Sequence, residues 1–377
     1  MAGVLALPTA AFAHAYLIRT VPSASGVLNS PPPRVALTFD EPVEPRFAIV
    51  SVTDAQGQQE TTGPVRRSPA NPDTLVVPLR PRLPEGWYLI FWRAISVDGH
   101  PVRGAFTFAV GPNPGPAPQF VIPSISETAA KPSLLVARWL MFVSVMGAIG
   151  LFVLRTATAR PVARRVPGAS LRSITLAFAL ALAVALVATP VYVLLATAQF
   201  ALRSWYQIGA LLPLVRADAF GRGYLDLELV LAFLAVAGGI AIAVDRPERE
   251  QRSVAELLAL TGALLACAAA LLIPGLAGHA AQTSPRGLAV AFDWVHLAAG
   301  SIWIGGLAGL LVLWRSLGDA RRAAGLAVSV PRFSKTAFGS VLALTGAGTG
   351  AAVRSWFNSK GIEAEMCISD AAFAAGA

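Results

Sequence analysis

Residues 87–108 read WYLIFWRAISVDGHPVRGAFTF: two β-rich runs on either side of Asp98-Gly99-His100-Pro101. The second run, continued to 110, alternates apolar and polar side chains, as a half-buried antiparallel strand requires. Gly99 permits the sharp bend between the two. Upstream, 34–40 (RVALTFD), 48–53 and 74–79 are of the same kind, separated by Pro, Gly and Asn. Across 14–110 there is no helical periodicity of useful length. About one hundred residues with turn signals this frequent predict an all-β sandwich or small barrel.

On either side of this domain the composition changes. Residues 1–13 (MAGVLALPTAAFA) are short, apolar and end in Ala-Phe-Ala, which predicts a signal peptide cleaved before His14. Residues 111–132 carry six prolines and read as an extended spacer. From Ser133 onward, stretches at 134–154, 174–198, 224–244, 254–277 and 288–314 are long and apolar enough to span ~30 Å of hydrocarbon. A sixth, 337–353, is shorter and rich in Gly and Thr, and 202–215 is too short to span and reads as interfacial or re-entrant. The expected architecture is therefore an all-β sandwich followed by an all-α polytopic membrane domain over 133–353, then a polar tail, 354–377. With 55% apolar and 14% charged residues and a mean hydropathy of +0.61, a purely soluble globular protein is excluded.

The net charge of +9 is a matter of topology. The sandwich is nearly balanced, with 9 basic against 8 acidic residues. With its N-terminal domain outside, the chain places thirteen Lys and Arg in inner loops, from Arg155 to Lys335, against four outside: Arg203, Arg216, Arg222 and Arg286. The positive-inside rule then predicts a multi-pass protein of a bacterial inner (plasma) membrane, with the N-terminal domain in the periplasm. The bilayer is the implied partner, and nucleic acid is not. Two cysteines, Cys267 and Cys367, exclude a disulfide framework and a thiolate zinc module.

Four histidines carry the remaining chemistry: His14, His100, His279 and His296. After cleavage, the His14 α-amine and imidazole Nδ1 form a compact chelate; alone, His14 reads equally well as an incidental residue past the cleavage site. Asp98 and His100, two apart across a glycine, can converge on one ion, or can merely cap a surface turn. Nitrogen-rich ligation with one carboxylate suits Cu(II). In the membrane half, His279 (GLAGHAAQ) lies at the outer end of the fourth helix, and Asp293 and His296 (FDWVHLAAGSIWIGG) lie in the outer part of the fifth. Three residues apart, Asp293 and His296 share a helix face, and His296 sits ~12 Å along that helix. Ionisable groups at such depth are functional by default, the alternative being a packing hydrogen bond from Asp293. Asp226 and Glu228 read as solvated interface residues.

The stretch HAYLIRTVPSASGVLNSPPPRVALTFDEPVEP, with EGWYLIFWRAISVDGHPVRGAFTFAVG, resembles the periplasmic copper-resistance CopC family over nearly all of 14–110. That resemblance implies a cupredoxin-like Greek-key sandwich binding one Cu(II) through the N-terminal His14, Asp98 and His100. A Met-rich Cu(I) site of some members is excluded, because 14–110 contains no methionine. The G-H-A element, D-W-x-H-L-x-A-x-x-W-x-G-G and RFSKTAFGSVLALTG resemble the CopD membrane family. CopC–CopD fusions are known among YcnJ-like copper-uptake proteins. The resemblance implies copper passage across the membrane, with His279, His296 and Asp293 as candidate ligands for a second copper, a periplasmic copper donor and a cytoplasmic acceptor. After Gly346 the chain departs from the CopD pattern, as a frameshift, insertion or truncation near Gly348 would produce. The reading is a copper-binding, non-enzymatic membrane protein that captures Cu(II) and passes copper inward. Its rivals are resistance by sequestration or export, a copper sensor merely anchored in the membrane, and a histidine-brace copper oxidoreductase.

Overall fold

The structure, a computed structural model, describes residues 15–96, 101–120, 122, 132–217, 219–278, 280 and 285–374, with side chains to residue 353. Its first part is a sandwich of two four-stranded sheets. One sheet has the order β1 (Leu17–Val21), β3 (Arg34–Phe39), β6 (Thr74–Pro78), β5 (Arg66–Arg67); the other runs β2 (Val27–Leu28), β8 (Pro101–Val110), β7 (Gly86–Ile95), β4 (Ile49–Thr53). All pairings are antiparallel except β2 with β8. The period-2 pattern of β3 puts Val35, Leu37 and Phe39 inward, against Leu75, Val77, Tyr88, Ile90, Trp92 and Phe108. Burying this face is what holds the two sheets together. The five expected strands are present, and β1, β2 and β5 are additional. β2 and β5 are two residues each, and β1 is a largely exposed edge strand, so none carries a strong alternating signal.

The β7–β8 hairpin pairs Trp92 with Gly104 and Ile95 with Pro101. A Cβ on Gly104 would lie 2.7 Å from the Trp92 indole, so only glycine leaves the ring its place. The indole in turn packs edge-on against Phe39, at 5.4 Å between centroids, and so joins the two sheets.

The second part is helical, with six segments long and apolar enough to cross a membrane. The first joins α1 (Pro132–Leu154), a π-helical turn (Arg155–Ala159) and α2 (Arg160–Arg165). It is followed by α3 (Arg172–Phe200), the short α4 (Ile208–Ala217), α5 (Ala219–Val244) and α6 (Val254–Ala277). The fifth segment joins α7 (Arg286–Gly300), a second π-turn (Ser301–Gly305) and α8 (Gly306–Ser316); the sixth lies in α9 (Asp319–Ala374). The expected short helix 337–353 is thus the later part of a helix that starts at Asp319, and Arg321, Arg322, Arg332 and Lys335 are helical where a loop was expected. Ala and Arg favour helix, and Pro331 is accommodated within it. It is also the least hydrophobic of the six segments.

Glycines set the tightest crossing. A Cβ on Gly150 of α1 would overlap the Ser301 carbonyl oxygen, and Gly305 lies against Gly150 in turn. The first and fifth segments therefore touch backbone to backbone, as small-residue crossings in membranes do.

Candidate functional site

Three of the expected copper ligands (His14, Asp98 and His100) and one expected membrane ligand (His279) lie outside the described residues. Their immediate neighbours are described, and those neighbours converge. Ala15 is 3% exposed within the sandwich core, and the Tyr16 N–H donates to Asp40 Oδ1 at 2.6 Å. The Asp40 N–H returns a bond to the Tyr16 carbonyl at 3.0 Å, pinning the chain just after His14 beside the end of β3. Four residues on, the Glu44 N–H donates to the Ile95 carbonyl at 3.3 Å. Ile95, paired with Pro101, is the last residue of β7 before the 97–100 segment. The attachment points of His14 and of the Asp98–His100 pair therefore lie at one end of the sandwich.

That same end rests on the helical bundle. Phe47 and Ile95 belong to the bundle's core cluster and not to the sandwich's own. The Phe47 ring packs on Phe200, the last residue of α3, at 5.6 Å between centroids. Arg93 of β7, 1% exposed, donates from one Nη1 to the Phe47 carbonyl at 3.0 Å and to the Phe200 carbonyl at 3.1 Å. Ala48 and Leu214 of α4 line one open groove at the seam.

The two described membrane candidates do not come together as one inward face. Asp293 leans toward α6, its Cβ and Oδ2 3.5 and 3.8 Å from where a Cβ on Gly275 would sit. His296 leans toward α9, its ring 3.7 Å from the corresponding position on Gly348. Both are exposed on the surface of the bundle. α6 and α9 both pack against α7, so the angular step between residues three apart suffices to send the two side chains to different neighbours. Between them, the Trp294 indole donates to the Ala268 carbonyl of α6 at 2.9 Å. Among the described residues, no group of three His, Cys, Asp or Glu side chains is placed to hold a metal ion.

Sequence reasoning missed three features. Met146 of α1 sets its methyl group 3.1 Å from the position of a Cβ on Gly300, which lies one turn along α7 from His296. The signal available was its rarity, since the chain has only four methionines. Arg93 was one charged residue in an apolar strand. Glu228, read as solvated, has its Oε2 buried with no hydrogen-bond partner among the described residues.

At the opposite end of the bundle lies a buried ionic cluster. Asp245 accepts from Arg155 Nη1 at 3.0 Å and from Arg160 Nε at 2.8 Å. Arg252 Nη2 donates to the Thr156 carbonyl in the first π-turn at 2.9 Å. Burial, and then the neighbouring Arg160 charge, push the Arg252 pKa below its ordinary value. Glu256 accepts the N–H groups of Arg246 at 2.7 Å and Ser253 at 2.6 Å, closing a capping box at the start of α6.

A β-sandwich seated on six membrane-length helices defines a two-domain, multi-pass membrane protein. The CopC domain family matches residues 17–111, the extent of the sandwich. The chain belongs to the CopC family. The chain is 28% identical to the copper transport protein CutJ of Bacillus subtilis over 320 residues, 82% of this chain and 56% of that protein. It thus spans little more than half the length of that relative. The match runs well past the sandwich, and the helical part is consistent with a CopD-like membrane domain. The sandwich alone is 34% identical to protein YobA of Escherichia coli, over 26% of this chain and 80% of that protein. It is 33% identical to copper resistance protein C of Escherichia coli, over 28% and 89%. Among solved structures, CopC from Methylosinus trichosporium OB3b is 31% identical, covering 26% of this chain and 96% of its own, with a TM-score of 0.25.

Proposed function

We propose that this protein captures Cu(II) on the outer side of a bacterial inner membrane and passes copper to its helical domain for import. The capturing ligands in this reading are His14, through its imidazole and the α-amine freed by cleavage, with Asp98 and His100. An amine, two imidazoles and a carboxylate make a nitrogen-rich set of the kind tetragonal Cu(II) favours, and copper is the cargo. The observation that carries the reading is convergence: Ala15, Ile95 and Pro101, which flank all three ligands, sit at the end of the sandwich that touches the bundle. Copper held there is next to the membrane domain. His296 and Asp293, with His279, are the candidate acceptors, and CutJ, aligned over most of this chain, is a copper transport protein. A periplasmic donor and a cytoplasmic acceptor complete the path. The protein acts in this reading as a carrier and not as an enzyme.

The test is Cu(II) binding by the full chain in detergent, followed by copper uptake into vesicles. His100→Ala, or one extra residue before a processed His14, is expected to remove the tight site and to lower uptake. Unchanged affinity in both variants would overturn the ligand assignment. A rise in cellular copper when the gene is lost would overturn the direction. Ascorbate-driven peroxide release from the copper-loaded protein would favour an oxidoreductase instead.

A further inference from the structure

A tether of about twenty residues joins Val110 to Pro132 and reaches roughly 65 Å when extended, so it does not by itself hold the sandwich against the bundle. Something else must. We infer that Arg93 is a positioning residue that keeps the sandwich docked, so that copper is handed from sandwich to bundle within one molecule while the sandwich remains in its seat. This rests on the copper-transfer reading above.

Arg93 is fully buried, where an unpaired guanidinium would be heavily disfavoured. One of its nitrogens bridges a carbonyl of the sandwich, Phe47, and a carbonyl of the bundle, Phe200. The second acceptor is at the C-terminal end of α3, where helix carbonyls lack intrahelical partners and the helix dipole favours a cation. Around this pin runs an aromatic column: Phe47 on Phe200 at 5.6 Å, Phe200 on Phe220 at 5.3 Å, Phe220 on Tyr224 at 4.8 Å, Tyr224 on Tyr192 at 5.4 Å. Lifting the sandwich would expose Phe47 and Ile95 to water, because their packing partners are in the bundle. Arg93 also stands two residues before Ile95, where β7 ends and the segment carrying Asp98 and His100 begins. A pin at this place fixes the copper-bearing end, where one elsewhere on the sandwich would leave it free to tilt.

The test uses the full chain with Cys267→Ala and Cys367→Ala, and with Ala48→Cys and Leu214→Cys across the seam. Three quantities are read: the yield of bismaleimide cross-link, the Cu(II) affinity and EPR spectrum, and copper uptake into vesicles. Loss of one charge-assisted bond weakens docking by about tenfold or more, so Arg93→Met is expected to lower cross-linking and uptake together while Cu(II) affinity is kept. Phe47→Ala, a residue outside the sandwich core, is expected to do the same by another route. Cross-linking the Arg93→Met protein in its docked fraction is expected to restore uptake, which a purely structural role would not. Unchanged cross-linking in both variants overturns the pin. Reduced cross-linking with undiminished uptake overturns handover from the docked state. Failure of the unsubstituted protein to take up copper overturns the transport reading instead, and with it the handover, whatever the cross-link yield.

Discussion

Replacing Asp245 by Asn leaves the shape of the side chain and removes its charge. The consequence can be worked out from its surroundings. Asp245, Arg155 and Arg160 have side-chain exposures of 7%, 5% and 7%, and the carboxylate is shared between the two guanidinium groups. An Asn amide offers one acceptor oxygen, and turns an NH₂ group toward the other arginine. Removing one partner of a buried ion pair costs about 3–5 kcal/mol. Here the lower end applies, because Arg155 keeps Thr175 Oγ1 at 3.0 Å and Arg160 keeps the Arg246 and Arg249 carbonyls at 3.0 and 3.1 Å. A loss of about 3 kcal/mol corresponds to a fall in Tm of roughly 6–12 °C for a domain of this size. Thermal unfolding of the full chain in detergent, followed by tryptophan fluorescence, reads it directly. The control is Glu250→Gln, whose partner Arg164 is 3.6 Å away and whose own side chain is 86% exposed; such a pair contributes little. If Asp245→Asn moved Tm no further than Glu250→Gln does, the cluster would not be what ties α1, α3 and the α5–α6 loop together.

Tyr88 gives a prediction in pH. Its hydroxyl donates to the Pro84 carbonyl at 2.6 Å, and burial, then the charges of Glu60 and Asp54, push its pKa up to about 12. The folded state therefore disfavours the phenolate, and the stability this neutral group contributes is fully present below about pH 10 and is lost as pH rises toward 12. Alkaline unfolding of the sandwich should show a slope of at most about 1.4 kcal/mol per pH unit that Tyr88→Phe removes; an identical slope in the variant would contradict this. In the bundle, Met146→Leu conserves volume and is expected to leave Tm nearly unchanged while lowering copper uptake severalfold, and His296→Ala to lower it further. Uptake by Met146→Leu equal to that of the unsubstituted protein would mean that the thioether only packs against Gly300.

Much of this was legible from residue order alone. Alternation in RVALTFD and GAFTFAV predicted β3 and β8, because burying one sheet face demands period 2. Unbroken apolar runs predicted five spans and the later part of a sixth, because backbone groups in lipid must be satisfied within a helix. The need for glycine at 104 was not legible in this way, because the Trp92 indole that crowds it lies on the neighbouring strand. The extent of α9 was obscured by its arginines, which read as a loop when charge is taken to mean solvent. The edge strand β1 was obscured by its exposure.

The sequence by itself determined the division into a sandwich and a membrane bundle, since that depends on composition and local period; it offered the copper-ligand candidates only through residue type joined to the family resemblance. Tertiary structure decided how these parts meet. No pattern in sequence relates Arg93 to Phe200, 107 residues away, or Asp245 to Arg155, 90 away, because such pairings are set by how whole elements pack. Nor does helical spacing reveal that Asp293 and His296 turn to different neighbours; that depends on α6 and α9 both packing against α7. Residue types and the family resemblance proposed the ligands, and long-range packing set the described ends of the chain beside them, Ala15 and Ile95, near the membrane domain.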